Sequence, residues 1–205
     1  VTVKKNNSDA QRETSITFTG ETATATVAVK QFGKDVVTID KNAYEVTPAG
    51  GSDVVNVTAN TDWTATVSEG VDWVTVAPAT GAAGATTATV TVAANETAAA
   101  RTAKVTFTAG DAKAEYTISQ EAVSVTLSKS SIADAGEGKT EAINVTANAA
   151  WTAASNAEWV SIAPATGAAG VTEVAVTVAE NSTEAAREAK VTFTINENVT
   201  AELTV

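Results

Sequence analysis

Apolar and polar residues alternate in short runs along the whole chain. Val57, Ala59, Trp63, Ala65 and Val67 share one parity, with Thr61 between them, and Val90 with Val92 and Val105 with Phe107 alternate with threonine. A period of two marks a strand with one buried face, because successive side chains point to opposite sides of a sheet. Runs rich in Val, Thr, Ile and Phe, punctuated by Pro and Gly, predict strands near 36–39, 44–47, 53–60, 62–67, 73–77, 86–93, 102–108 and 114–120. No stretch of ten or more residues carries a helical apolar stripe; the one helical candidate is the single turn Glu96–Ala100, behind a capping Asn95. Seven or eight short strands in about 88 residues describe an antiparallel β-sandwich.

The pattern repeats. Asn56-Val-Thr-Ala-Asn60 recurs as Asn144 to Asn148, Ala77-Pro-Ala-Thr-Gly-Ala-Ala-Gly84 as Ala163 to Gly170, and Lys104-Val-Thr-Phe-Thr108 as Lys190 to Thr194. The offset is 88 from Trp63 to Trp151 and 86 from Trp73 to Trp159, so two residues are missing between the tryptophans of the later copy. A partial copy comes first: Val1 to Asn6 matches Val90 to Asn95, and Arg12, Phe18 and Gln31 match Arg101, Phe107 and Gln120, all at offset 89. The expected organisation is the back half of a module over 1–34, a complete module over 35–121 and a second over 122–205 with its last strand slightly short. With no starting Met and half a module in front, the chain reads as a fragment of a larger protein. Residues 1–33 then require a front half from the rest of that polypeptide or from a neighbouring chain, since about three strands cannot bury a core unaided. Connections as short as Gln120-Glu-Ala-Val123 predict a semi-rigid row of similar domains.

Composition narrows the chemistry. The 205 residues include 43 alanines and only ten aromatic side chains, so large core residues are scarce. There is no His, Cys or Met. That removes His-based acid–base catalysis, Cys or Ser–His nucleophiles and His/Cys zinc sites. The net charge of −11 argues against nucleic acid as a partner, because phosphate contact needs clustered Lys or Arg. The longest uncharged stretch, Trp73 to Asn95, contains Pro78, Gly81 and Gly84 and is no membrane helix, so no membrane insertion is expected.

An ordered series of residues resembles the BACON domain: Trp63, Trp73, Val74, Pro78, Gly81, Gly84, Asn95, Arg101, Val105, Phe107 and Gln120, matched later by Trp151, Trp159, Val160, Pro164, Gly167, Gly170, Asn181, Arg187, Val191 and Phe193. The resemblance covers essentially the whole chain. It implies tandem immunoglobulin-like antiparallel β-sandwiches, an all-β fold. The family is frequent in surface proteins of gut Bacteroidota and in their phages, often in tandem or beside glycoside hydrolases. That implies an extracellular, cell-surface or virion-surface location. Both carbohydrate or mucin binding and spacer duty are proposed roles for it. Tyr44 and Tyr116 are replaced by Ile132 and Leu203 in the last copy, so a site using those tyrosines is not shared.

Other motifs have plain structural readings. Ala133-Asp-Ala-Gly-Glu-Gly-Lys-Thr140 ends like a phosphate loop, but Ala133 stands where the first Gly belongs and no helix follows, so a turn is expected. Asn-x-Ser/Thr triplets at Asn6, Asn56, Asn95, Asn144, Asn181 and Asn198 arise easily in a Thr-rich strand protein. Only Asp72 and Glu158 keep an acid before the second Trp of each module. One recurring acid is not a glycosidase pair, and no Asp-x-Asp-x-Asp-Gly calcium loop is present. Neither a catalytic residue, a cofactor nor a metal is expected. Arg101 and Arg187, with Arg12 equivalent, open strands after tight turns, where an Arg packs its stem and pairs with nearby carbonyls or acids.

The tryptophans are the most informative residues. Trp63 and Trp151 share parity with the inward valines and are expected to plug the cores. In Trp73-Val-Thr-Val76 and Trp159-Val-Ser-Ile162 the apolar residues point in, which leaves Trp73 and Trp159 on the other side. Two readings compete: each ring lies under the following Pro-x-x-Gly loop, or it is partly exposed and stacks on a sugar or meets a neighbouring domain. The expected function is a non-catalytic spacer, adhesion or interaction array. Carbohydrate binding to surface glycans or mucin through Trp73 and Trp159 is the alternative.

Overall fold

The computed structural model describes residues 1–8 and 10–205. All of the regular structure among them is β. The strands are β1 (Arg12–Thr19), β2 (Thr24–Gln31), β3 (Val37–Ile39), β4 (Ala43–Val46), β5 (Gly51–Ala59), β6 (Trp63–Val67), β7 (Val74–Ala77), β8 (Thr80–Gly81), β9 (Gly84–Val92), β10 (Arg101–Ala109) and β11 (Ala112–Gln120). Then follow β12 (Val125–Leu127), β13 (Lys139–Ala147), β14 (Trp151–Ser155), β15 (Val160–Ala163), β16 (Thr166–Gly167), β17 (Gly170–Val178), β18 (Lys190–Ile195) and β19 (Val199–Thr204). In the middle copy, where the runs are read, β3 to β7 and β9 to β11 lie within two residues of them. The two-residue strand β8 carries too little pattern to be read. Residues 96–100 form a bend rather than the expected helical turn, because the Asn95 side chain closes the loop itself.

Two sheets face each other in the middle of the chain. One has the order β3-β5-β9-β7, the other β4-β11-β10-β6-β8. All pairings are antiparallel except β4 with β11. The later copy repeats both sheets as β12-β13-β17-β15 and β16-β14-β18-β19, and a single parallel bridge from Ser131 to Thr204 stands in for the β4–β11 pairing. Each pair of sheets encloses its own core, one drawn from Val37 to Ile118 and the other from Val123 to Leu203. Among the described residues, β1 and β2 pair only with each other.

Strand parity decides the cores. Val55, Val57 and Ala59 of β5 point inward, as do Val90 and Val92 of β9. Trp63 and Trp151 are 1% and 2% exposed. Each meets a phenylalanine of the neighbouring strand in its own sheet at an angle, Trp63 with Phe107 at 5.6 Å and Trp151 with Phe193 at 5.5 Å between ring centres. Val74 and Val160 are buried, and Val76 and Ile162 pack at the same cores. The hairpin β1–β2 offers the same inward positions without a facing sheet: Phe18 and Val27 are about half exposed, whereas their counterparts Phe107 and Tyr116 are fully buried.

Candidate functional site

The middle copy carries a polar cluster at one end, built around a tryptophan, an arginine, an asparagine and a glutamine; the first copy shares the arginine, asparagine and glutamine, and the last the tryptophan, arginine and asparagine. Antiparallel register creates it. Arg101 opens β10 opposite Gln120, the last residue of β11, and Arg12 faces Gln31 in the same way. Arg101 Nε donates to Gln120 Oε1 at 2.7 Å, and its Nη2 donates to the carbonyls of Ala93 (3.0 Å) and Ala94 (2.8 Å). The buried Gln120 amide donates in turn to the carbonyls of Ala93, Thr47 and Pro48. The guanidinium lies over the Trp73 ring, 4.3 Å from its centre. Arg187 repeats this over Trp159 at 4.2 Å and donates to the Ala179 carbonyl. Burial pulls the Arg101 pKa below its usual value, and the neighbouring Asp72 acts in the opposite direction.

The asparagine belongs to the Asn-x-Ser/Thr triplet. Asn95 is 1% exposed. Its Oδ1 accepts from the backbone N–H and hydroxyl of Thr97, and its Nδ2 donates to the carbonyls of Ala99 and Glu121, each at 2.8 Å. Asn6 and Ser8 repeat the pattern. Asn181 and Thr183 repeat its local part. These triplets are therefore side-chain-closed turns, and in Asn6 and Asn95 the buried amide is already committed.

Trp73 and Trp159 are both half-buried and pack at the edge of their cores. What covers each ring is the arginine of the neighbouring hairpin. The Pro-x-x-Gly loop packs elsewhere: a Cβ on Gly81 would strike the Trp63 ring and one on Gly167 the Trp151 ring, because β8 and β16 pair beside those tryptophans. The sequence contained the Trp and Arg positions, but 28 residues separate Trp73 from Arg101, and no local period links them. The Ala133–Thr140 segment forms a turn in which Asp134 itself accepts from the N–H groups of Gly136 and Gly138. Next to it, a cavity of about 330 Å³ is lined by Asp134, Trp159, Asn181, Thr183, Arg187 and Val205 among others.

Removing the arginine tests the cluster. Arg101→Ala is expected to lower stability by about 1–2 kcal/mol, since hydrogen bonds from a charged group are worth more than neutral ones. Arg101→Lys recovers only part of this, because an ammonium cannot reproduce the planar fork over the ring. Thermal unfolding of the two variants, followed by tryptophan fluorescence, measures both effects.

The comparisons with known proteins agree with this architecture. The model of the BACON family, described as "Putative binding domain, N-terminal", matches residues 1–32, 61–121 and 149–205. The chain belongs to the BACON family. Among solved structures it is similar to the I9–I11 tandem of titin, with 15% identity and a TM-score of 0.52 over 82% of this chain and 65% of that one. That likeness shows tandem immunoglobulin-like β-sandwiches. It is also similar to the Bacteroides ovatus GH5 xyloglucanase in complex with a XXXG heptasaccharide, with 25% identity and a TM-score of 0.40, covering 48% of this chain and 21% of the enzyme's. No curated protein matches the chain.

Proposed function

We propose that the chain is a non-catalytic spacer and interaction array of a larger extracellular, cell-surface or virion-surface protein. The observation that carries this reading is where the repeated polar chemistry points. The arginine and asparagine of the clusters, and Gln120 in the middle one, donate to the chain's own carbonyls, including Glu121 O in the connection between modules. A ligand at Trp73 must first displace Arg101 from the ring. The half-exposed apolar face of β1–β2 is a further contact surface of the array, suited to a sheet like the one formed by β3, β5, β9 and β7.

One observation favours the alternative, glycan recognition. The cavity beside Trp159 combines an aromatic ring with a guanidinium, a carboxylate, an amide and a hydroxyl. Sugar-binding sites use that mixture of an apolar face and a few convergent polar groups. A pull-down on immobilised mucin together with a glycan array separates the two. The spacer reading expects no specific retention. Specific binding that is lost in Trp73→Ala/Trp159→Ala, with the β-sheet circular dichroism intact, would replace it with the glycan reading.

A further inference from the structure

The connections between modules are gripped from both sides. At 120–125 the preceding module contributes Asn95, whose Nδ2 donates to Glu121 O at 2.8 Å, and the Thr97 carbonyl, which accepts from Val123 N at 2.9 Å. The following module contributes Asn148, whose Nδ2 donates to Ala122 O and whose Oδ1 accepts from Ser124 N, both at 2.8 Å. Residues 121, 122, 123 and 124 are thus bound alternately backward and forward. An extended chain presents its backbone polar groups to opposite sides at successive residues, so a straight segment can serve two neighbours at once.

The earlier connection uses the same parts in a different register. Asn6 Nδ2 donates to Phe32 O at 2.9 Å, and Lys34 N donates to Ser8 O at 2.8 Å. From the other side, Asn60 Nδ2 donates to Lys34 O and Asn60 Oδ1 accepts from Val36 N, both at 2.8 Å. Gln31 to Val37 is one residue longer than Gln120 to Val125, so Lys34 serves both neighbours instead of the grips interleaving. The longer connection gains another tie: Asp35 accepts from the N–H of Asp111, in a turn where Gly110 has a φ of +54°. A Cβ on Gly110 would collide with the Asp35 carboxylate.

We propose that the Asn-x-Ser/Thr turn of one module and the Asn-Val-Thr-Ala-Asn strand end of the next form a two-sided clamp that makes each connection a rigid joint. Neighbouring modules then keep one relative orientation instead of swivelling on a tether. This deepens the spacer reading and rests on it for its biological meaning.

Backbone residual dipolar couplings test the joint. In the unmodified protein, residues 37–120 and 125–205 are expected to share one alignment tensor. In Asn95→Ala/Asn148→Ala they are expected to need two, of different magnitude. In Asn148→Ala alone, the Ser124 amide loses hydrogen-exchange protection by about fivefold or more, the loss that follows from deleting one neutral hydrogen bond. If Asn95→Ala unfolds the preceding module, Asn148→Asp carries the test: it keeps an acceptor for Ser124 N but sets a carboxylate against Ala122 O, and two tensors are again expected. Two tensors in the unmodified protein, or one unchanged tensor in the variants, would overturn the proposal. Neither result bears on whether the array binds mucin, so failure of the joint and failure of the spacer reading are distinguishable.

Discussion

Trp63→Ala is expected to destabilise the middle sandwich by about 3–5 kcal/mol, the range for emptying a large aromatic from a packed core. That is a large part of the stability of an ordinary domain. The ring touches Phe107 of the neighbouring strand β10, its Nε1 donates to Thr86 Oγ1 at 2.9 Å, and Gly81 lies directly on its face. The core is otherwise built mainly from Val and Ala, whose short side chains do not fill the space of an indole. Trp73→Ala should cost much less, because that ring is half-buried at the edge of the core, where it loses part of its packing and its contact with Arg101. Urea unfolding of both variants gives the ranking, and a Trp73→Ala effect as large as that of Trp63→Ala contradicts it. Gly81→Ala is a third probe of the same packing, since its methyl group would enter the Trp63 ring.

The middle sandwich should also lose stability at both ends of the pH scale. Tyr116 is fully buried and donates its hydroxyl to Asp53, which also pairs with Lys41 at 2.6 Å. Burial works to raise the Asp53 pKa, but the hydrogen bonds from Lys41 and Tyr116 outweigh it, and the carboxyl sits below its ordinary value of 3.8. A depressed carboxylate stabilises the fold above its unfolded pKa, and that contribution fades as the pH falls through the folded value. Tyr116 shifts the other way: burial, then its bond to Asp53, raises its pKa well above the ordinary 10.0. Its contribution is complete below pH 10 and is lost progressively as the pH rises beyond the unfolded pKa, where only the unfolded chain can ionise.

Asp53→Ala should cost about 1–3 kcal/mol at neutral pH by leaving the Tyr116 hydroxyl without its acceptor. Tyr116→Leu, which copies Leu203 of the later sandwich, should abolish the alkaline loss. Denaturant unfolding across the pH range, with tyrosinate absorbance, measures both. Alkaline destabilisation that persists in Tyr116→Leu refutes the assignment. In the later sandwich, hydrogen bonds from Lys129 and Lys139 hold Glu141 down at about 2, so its acid response begins below the unfolded carboxylate pKa and extends to about pH 2.

The fold was legible because both of its determinants are periodic. Alternation assigned each strand's inner face, and that placed Trp63, Trp151 and the paired valines in the cores. Repetition of the same words at offsets of 88 and 86 showed that the pattern describes one module used again. Arg101 was readable as a side chain satisfied by carbonyls at a turn, since an Arg there has little else to bond. The loop after Trp73 misled for a physical reason. Pro78 to Gly81 follows Trp73 in sequence, yet hydrogen bonding carries β8 back beside β6, so its glycine meets Trp63.

The sequence by itself therefore determined the class of fold, the repeat and the identity of the core rings, because period and repetition are properties of neighbours along the chain. Only the tertiary structure decided what covers Trp73 and Trp159, which carbonyls Asn95 and Asn148 hold, and that Asp53 lies under Tyr116. Each of these joins residues from different strands or different modules. Antiparallel register brings Arg101 to Gln120 across a hairpin, and the packing of one sheet on the other brings the guanidinium over Trp73. Such meetings depend on which strand lies beside which, and that order is set by burial of the whole core rather than by any local pattern.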